Sequence, residues 1–429
     1  DLSRFGHWAN KAFTKARVGD QYANRFKIHF PYEEREVGRP MRKRPAYARQ
    51  KEMGAVFGLN YGWEHPLWYA PAGTEAVETY GFTRQNWFEP VRAECLALRN
   101  GVGLIDVSNF GKYQIKGAGA REWLDKVVAN NVPTEIGRSC LTPLIGVRGG
   151  IAGDFTITML GEDHYFMVGS GIAERYHQRY FKEVARPTTV EFTSLTEAMV
   201  GFNVAGPKSR ELLGRLTQAN LSNEAWKFMR SAQIAVAGID AVAIRVSFTG
   251  DLGWEIYVAQ AEQVKLLDAL LEAGRDLGVR PVGGRALLSL RVEKGYGSWG
   301  REYSPEYWPQ EVGLARLIKM DKPEFLGKNA YAALAAKAPR EQLVMLEIEA
   351  IEADAVGGEP IFAPDGTPVG RVSSGAYGFT VNKSLALGFV KTAYAAAGTV
   401  LEVAVLGRPH KGVVLAEAAF DPKGERLRA

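Results

Sequence analysis

The sequence predicts an α+β fold with a small all-β unit at its C-terminal end, and three observations lead there. Helix-like and strand-like periods are mixed along most of the chain without a regular strand–helix–strand repeat. Beyond about residue 330 only short strand-like runs remain, separated by turns bearing Gly, Pro or Asn. A length of 429 residues, 46% hydrophobic and 24% charged, gives room for two or three domains with substantial cores.

The elements follow in order. Residues 1–75 carry many aromatics and prolines (Trp8, Phe26, Phe30, Tyr32, Tyr47, Trp63, Trp68 and Tyr69 among them) and little clean periodicity. Such a segment buries poorly alone and is expected to pack on another domain. From Trp87 the texture changes. Pro90–Arg99 predicts a helix ended by Gly101-Val102-Gly103, Lys112–Lys116 alternates as a strand, and Gly117–Ala120 leads into a helix over 121–128. Strands are expected at 155–160, 164–168, 198–204, 232–237, 240–247 and 255–258, with helices near 172–185, 207–216, 223–230, 261–277 and 284–294. The short strands at 342–349, 359–363, 368–373, 385–390, 400–406 and 411–416 predict a small barrel or sandwich. The natural division is 1–75, 76–330 and 331–429.

Composition excludes several classes. The net charge of +5 is small for this length, and no Lys/Arg run is dense enough to point to nucleic acid. The sharpest basic cluster, Arg39 to Pro45, is broken by proline and reads as a solvated or inter-domain loop. Two cysteines, Cys95 and Cys140, are too few for a disulfide framework and suggest a reducing compartment. No apolar run reaches the length of a membrane span. The six histidines show no metal-ligand spacing, and HExxH, CxxC, GxSxG and GxxxxGK[ST] are absent, so no metal is expected. Gly117-Ala118-Gly119-Ala120-Arg121-Glu122 has Glu at its sixth position and no parallel βαβ context, so it is read as structural. The start at Asp1 has no initiator Met, basic n-region or apolar h-region, which suggests a processed product or part of something longer.

Three segments concentrate information. Gly149-Gly150-Ile151-Ala152-Gly153-Asp154 places an acid at the mouth of a turn that enters the alternating run Phe155–Leu160. There it could hydrogen-bond an amine and tune its reactivity. Ser247–Tyr257 crowds two aromatics and two carboxylates around a tight turn between strands, a setting in which a planar nitrogen-rich ring could stack while a carboxylate takes its N–H donors. Either segment alone also fits ordinary turn and hairpin chemistry. Leu290–Gly300 reads as a helix terminus, with Arg291, Glu293 and Lys294 in salt bridges and Gly295 ending it.

Taken in order, these pieces resemble the aminomethyltransferase family of the glycine cleavage system over roughly residues 85–429. Glu94–Ser108 resembles its opening helix and turn, Gly149–Asp154 its GGxxxD turn, and Val204–Arg210 its GPxxR helix start. Ser247–Glu255 resembles its [GS]-[YF]-T-G-[ED]-x-G-x-E loop, Ser289–Gly295 its SLRxEKG helix, and Ser374-Gly375 with Asn382–Val390 its final strand pair. Asp1–Gly6, Arg25–Pro31, Arg44–Tyr47 and Tyr61–Pro66 are similar to the dimethylglycine and sarcosine dehydrogenases, at the tail of their flavin half and the bridge to the folate half.

The resemblance implies a tetrahydrofolate-binding one-carbon transferase module. It would capture, as 5,10-methylenetetrahydrofolate, the carbon released when a flavin half oxidises a small N-methyl amino acid such as dimethylglycine or sarcosine. FAD would belong to that half, on the same polypeptide or a partner subunit. Asp154 takes the family's catalytic and folate-facing acid position. Phe248, Glu255, Ile256 and Tyr257 would hold the pterin, and Arg316 is a candidate for folate's anionic glutamate tail. Neither nucleic acid nor a membrane is an implied partner. The compartment would be the cytoplasm of a bacterium or the mitochondrial matrix of a eukaryote.

Three departures qualify the resemblance. Phe248 stands where many members have Tyr, Leu287 where glycine cleavage members carry Arg, and Lys294-Gly295-Tyr296 lacks the cysteine of an iron–sulfur-assembly branch. The second argues against ordinary glycine cleavage. Two alternatives stay open: a non-catalytic folate-holding module, and a folate-dependent demethylase of a betaine or sulfonium compound.

Overall fold

The computed structural model describes residues 6–429, so of the Asp1–Gly6 motif only Gly6 lies among the described residues. Two sheets meet at the middle of the molecule. One has six strands in the spatial order Ser231–Val236, Ile239–Ile244, Gly253–Ala259, Met199–Ala205, Gly103–Asp106 and Arg280–Val282. Its neighbours are antiparallel except the last pair. The other is antiparallel, in the order Ser139–Ile145, Ile151–Gly161, His164–Gly169, Gly111–Lys116 and Glu191–Ser194.

Strand alternation decides which side chains face the gap between them. On Gly253–Ala259, the side chains of Trp254, Ile256 and Val258 pack in a core with Leu266 and Leu270 of the helix Gln263–Ala273. Glu255 and Tyr257 therefore take the opposite face. On Ile151–Gly161, Phe155 and Ile157 pack with Trp123 and Leu124 of the helix Ala120–Val127, which leaves Asp154 and Thr156 on the other side. The Phe166 and Tyr257 rings touch across the gap with centroids 5.4 Å apart. The acid-bearing faces of the two sheets thus look toward each other.

The last unit is a closed six-stranded barrel in the order Glu341–Ile348, Lys383–Lys391, Pro368–Gly378, Pro360–Phe362, Val400–Val405 and Arg408–Val414. The helix Gly284–Glu293 is joined to it by Ser289, whose hydroxyl donates to the Tyr377 carbonyl at 2.7 Å. The N-terminal segment has more regular structure than its sequence suggests. It forms a helix, Lys11–Ala23, capped by the Asn10 side chain, and a hairpin of Ala55–Asn60 with Trp63–Tyr69. The hairpin lies on the start of Gly284–Glu293, where a Cβ at Gly283 would come within 2.2 Å of the Leu67 carbonyl oxygen. Trp68, 2% exposed, joins the central core, so the segment is packed on its neighbour as its composition demands.

Two expectations are corrected. Residues 223–230 form turns rather than a helix: Met229 has a positive φ of 61°, and the Trp226 indole donates to the Arg230 carbonyl at 2.9 Å. The basic cluster at 39–45 is not solvated, because Arg39 pairs with the buried Glu64 and Arg44 is itself buried.

Candidate functional site

The turn that carries Phe248 is held from several sides. Ser247 and Thr249 hydroxyls bond each other at 2.7 Å, and Ser247 reaches Asn203 Oδ1 at 3.1 Å. Gly250 has φ +78°, and a Cβ there would lie 2.3 Å from Cγ of Lys294, so glycine is required on both counts. Arg99 donates to the Thr249 carbonyl at 2.8 Å, to Asp251 Oδ2 at 2.7 Å and to Glu293 Oε2 at 2.9 Å, with its guanidinium 3.8 Å from the Phe420 ring centroid. The half-buried Phe248 ring stacks on Tyr296 at 5.8 Å and 23°. It lines a cavity of about 380 Å³ with Asp106, Val107, Phe110 and Leu287.

Glu255 lies just beyond this turn, on the central strand. Burial pushes its carboxyl up to about 7, against the opposing pull of the Tyr257 hydroxyl and Lys112. The Tyr257 hydroxyl donates to Glu255 Oε2 at 2.7 Å. Gly201 makes room for that ring, since a Cβ there would lie 2.7 Å from Tyr257 Cδ1. Ile256, by contrast, sends its side chain into the core on the far face, and only its backbone runs beside the acid.

Asp154 is half-buried, its Oδ1 has no hydrogen-bond partner among the described residues, and burial pushes it up to about 6. It sits close enough to Tyr303 to raise that phenol further. The glycines ahead of it serve the chain's own packing: a Cβ at Gly149 would lie 2.8 Å from the Ala330 carbonyl oxygen, and one at Gly150 2.3 Å from that of Pro305. Gly153 lets His177 approach, its Nε2 being 2.9 Å from where a Cβ would stand.

The structure thus gathers Asp154, Glu255 and Tyr257 on facing sheet surfaces, with Phe248 at the edge of the adjoining cavity. Arg316 stands apart. It is exposed on the turn Ala315–Leu317, beside the edge strand Ser139–Ile145. The Leu290–Gly300 segment is the salt-bridged helix end its charges suggest. Glu293 takes Arg99 and Thr380, Arg291 bonds Glu302 at 3.1 Å and Ser374 at 2.6 Å, and Lys294 bonds Asp421 at 3.2 Å. Lys112 and Arg44, both buried beside the cavity wall, carry no signal in sequence: one is a polar position of an alternating strand, the other part of a basic run. Among the described residues, no group of three or more His, Cys, Asp or Glu side chains could hold a metal ion, and no helix is long and apolar enough to cross a membrane.

Comparison with known proteins decides the family, because the GCVT N-terminal domain matches residues 46–322. The chain belongs to the glycine cleavage T-protein family. The C-terminal barrel domain of the T-protein matches residues 341–421, and the central domain of FAD-dependent oxidoreductases matches 1–44. This T-protein chain is 36% identical over 430 residues to 4-methylaminobutanoate oxidase (formaldehyde-forming) of Paenarthrobacter nicotinovorans, covering 100% of the chain and 52% of that protein. It is 32% identical over 433 residues to mitochondrial dimethylglycine dehydrogenase of Homo sapiens, covering 100% and 50%. An aminomethyltransferase of Halothermothrix orenii is 30% identical over 376 residues, 87% of this chain and 99% of that one. The chain spans about half the length of the oxidase and dehydrogenase relatives. The glycine cleavage system aminomethyltransferase T of Bartonella henselae shares the fold, with a TM-score of 0.77 at 24% identity over 89% of this chain and 98% of that one. An aminomethyltransferase domain, its barrel and a flavin-oxidoreductase segment are thus joined in one T-protein chain.

Proposed function

We propose that this chain binds tetrahydrofolate between its two sheets and captures on it a one-carbon unit at the formaldehyde level, giving 5,10-methylenetetrahydrofolate. The observation that carries the reading is Asp154, a carboxylate with an unpartnered buried oxygen facing the sheet that bears Glu255. A buried acceptor without a donor is costly in a finished scaffold and suits an incoming N–H.

Bound folate would supply two nucleophilic nitrogens that together take the carbon; the protein's part is to place them and move protons. Glu255, braced by Tyr257, accepts N–H donors from the pterin edge, and Phe248 offers an apolar face at the cavity. Asp154 takes the proton released as a nitrogen attacks. Its carboxyl near 6 makes it an effective acceptor at neutral pH. Arg316 is the candidate for the anionic tail, reached past the edge strand. Oxidation of the amine belongs to a flavin-oxidoreductase half, on the same polypeptide or a partner subunit, acting on a small N-methylated amino acid.

The test uses the chain with supplied formaldehyde and tetrahydrofolate. Condensation faster than the uncatalysed reaction, lost by about 10²-fold or more in Asp154→Ala with folate binding kept, is the expected result. Binding without acceleration would instead identify a folate-holding module. That second reading draws support from the relative whose name describes a formaldehyde-forming oxidase.

A further inference from the structure

We propose that Lys112 is a positioning residue of the folate site: its ammonium clamps the 108–110 turn against the cavity and provides the positive charge beside Glu255. The inference rests on the folate reading above and goes further, to a residue that no sequence motif marks.

Lys112 is the second residue of Gly111–Lys116 and is 0% exposed. Its neighbours Tyr113 and Ile115 point into the core on the far side, so alternation directs Lys112 to the face shared by Asp154, Phe166 and Val168. Its Nζ donates to the Ser108 carbonyl at 2.8 Å and the Phe110 carbonyl at 2.7 Å. Those bonds curl the turn back on its own strand and fix Asn109 and Phe110, which line the cavity with Phe248. Arg44 reaches the same Ser108 carbonyl at 2.9 Å from the N-terminal segment. No carboxylate oxygen lies within salt-bridge distance of Lys112 among the described residues. The charges that act on it are Arg44, Asp106, Glu174 and Glu255, and those that act on Glu255 are Tyr257 and Lys112.

Burying an ammonium costs several kcal/mol unless its surroundings compensate, and two neutral carbonyls repay that only in part. A methionine or leucine would fill the space without the cost. The charge fits a demand made elsewhere. Glu255 must be ionised to accept N–H donors, and an adjacent cation favours that form in a buried setting.

The test is calorimetric titration of the chain with tetrahydrofolate under anaerobic conditions between pH 5.5 and 8.5. Wild-type affinity should rise with pH through a midpoint near 7, as Glu255 ionises. In Lys112→Met the midpoint should move up by about one pH unit, with binding about tenfold weaker at pH 7. Lys112→Gln can still donate to both carbonyls but carries no charge, so it should recover part of the affinity and keep the displaced midpoint. Equal weakening at every pH with an unmoved midpoint would make Lys112 a structural clamp only, and wild-type behaviour in both variants would remove it from the site; either overturns the proposal. Failure of both variants to fold would assign Lys112 to the scaffold and overturn it too. Absence of tetrahydrofolate binding to the wild-type chain is a separate result that defeats the underlying reading.

Discussion

Two groups of buried acids stand on either side of the 245–252 loop, and they are treated in opposite ways. Asp251 and Glu293 share Arg99, and each has a further partner: Arg426 bonds Asp251 at 2.7 Å, and Thr380 donates to Glu293 through both its backbone and its hydroxyl. Asp154 has an orphaned oxygen, and Glu255 bonds only the phenol of Tyr257. The first group joins the opening helix Phe88–Asn100, the loop, the helix Gly284–Glu293 and the barrel. The second joins nothing and faces a gap. Charges that hold a scaffold are paired by it; charges kept for a ligand are left short of partners.

The largest effect should come from breaking the paired group. Arg99→Met leaves two carboxylates buried without their cation and should lower stability by about 3–5 kcal/mol, read as a fall in the urea midpoint at pH 7. Asp154→Asn should act with the opposite sign. The folded carboxyl is raised from 3.8 to about 6, so the folded state holds its proton more tightly than the unfolded chain. Stability contributed by the protonated form is present below pH 4, is lost as pH rises toward 6, and stays lost above it. The Asn variant should therefore gain up to about 3 kcal/mol at pH 7, and its stability should vary less between pH 4 and 6. Catalysis would fall in the same variant, so activity and stability would move apart.

Gly201→Ala is a smaller perturbation of the unpaired group. Its Cβ would press on Tyr257 and on the Ile256 carbonyl, costing about 1–3 kcal/mol, and thermal melting with folate titration would show stability and binding falling together. The smallest effect belongs to Tyr257→Phe. Loss of one hydrogen bond to Glu255 should cost about 1 kcal/mol and move the midpoint of pH-dependent binding upward, because the ionised acid loses a donor.

Much of the architecture could be read from periodicity. The helix Phe88–Asn100, the strands on both sides of Gly250 and the six barrel strands all follow from alternation or 3.6-residue spacing with glycine stops. The strands that went unseen have local reasons. Gly103–Asp106 is buried on both faces and shows no alternation, and Ser139–Ile145 contains Pro143, which an edge strand tolerates because one side needs no donors. At 223–230, Trp226 enters the core while Arg245 binds its carbonyl, so a helix-like run of apolar residues becomes a turn. Asp154, Phe248 and Glu255 were visible only as members of ordered motifs. Lys112 was not visible at all, since a lysine at an alternating position usually points to solvent and only the second sheet gives it an interior to face.

Asp106 deserves a last consequence. Its Oδ2 accepts from Gln50 at 2.8 Å and from Gln263 at 3.2 Å, while its Oδ1 takes the Ser108 amide at 2.9 Å. Gln50 belongs to the N-terminal segment and Gln263 opens the helix behind the six-stranded sheet. One carboxylate therefore ties three distant stretches of sequence into a single unit of inheritance. A change at either glutamine or at the acid strands the other two, so these positions should be replaced together among homologues or not at all.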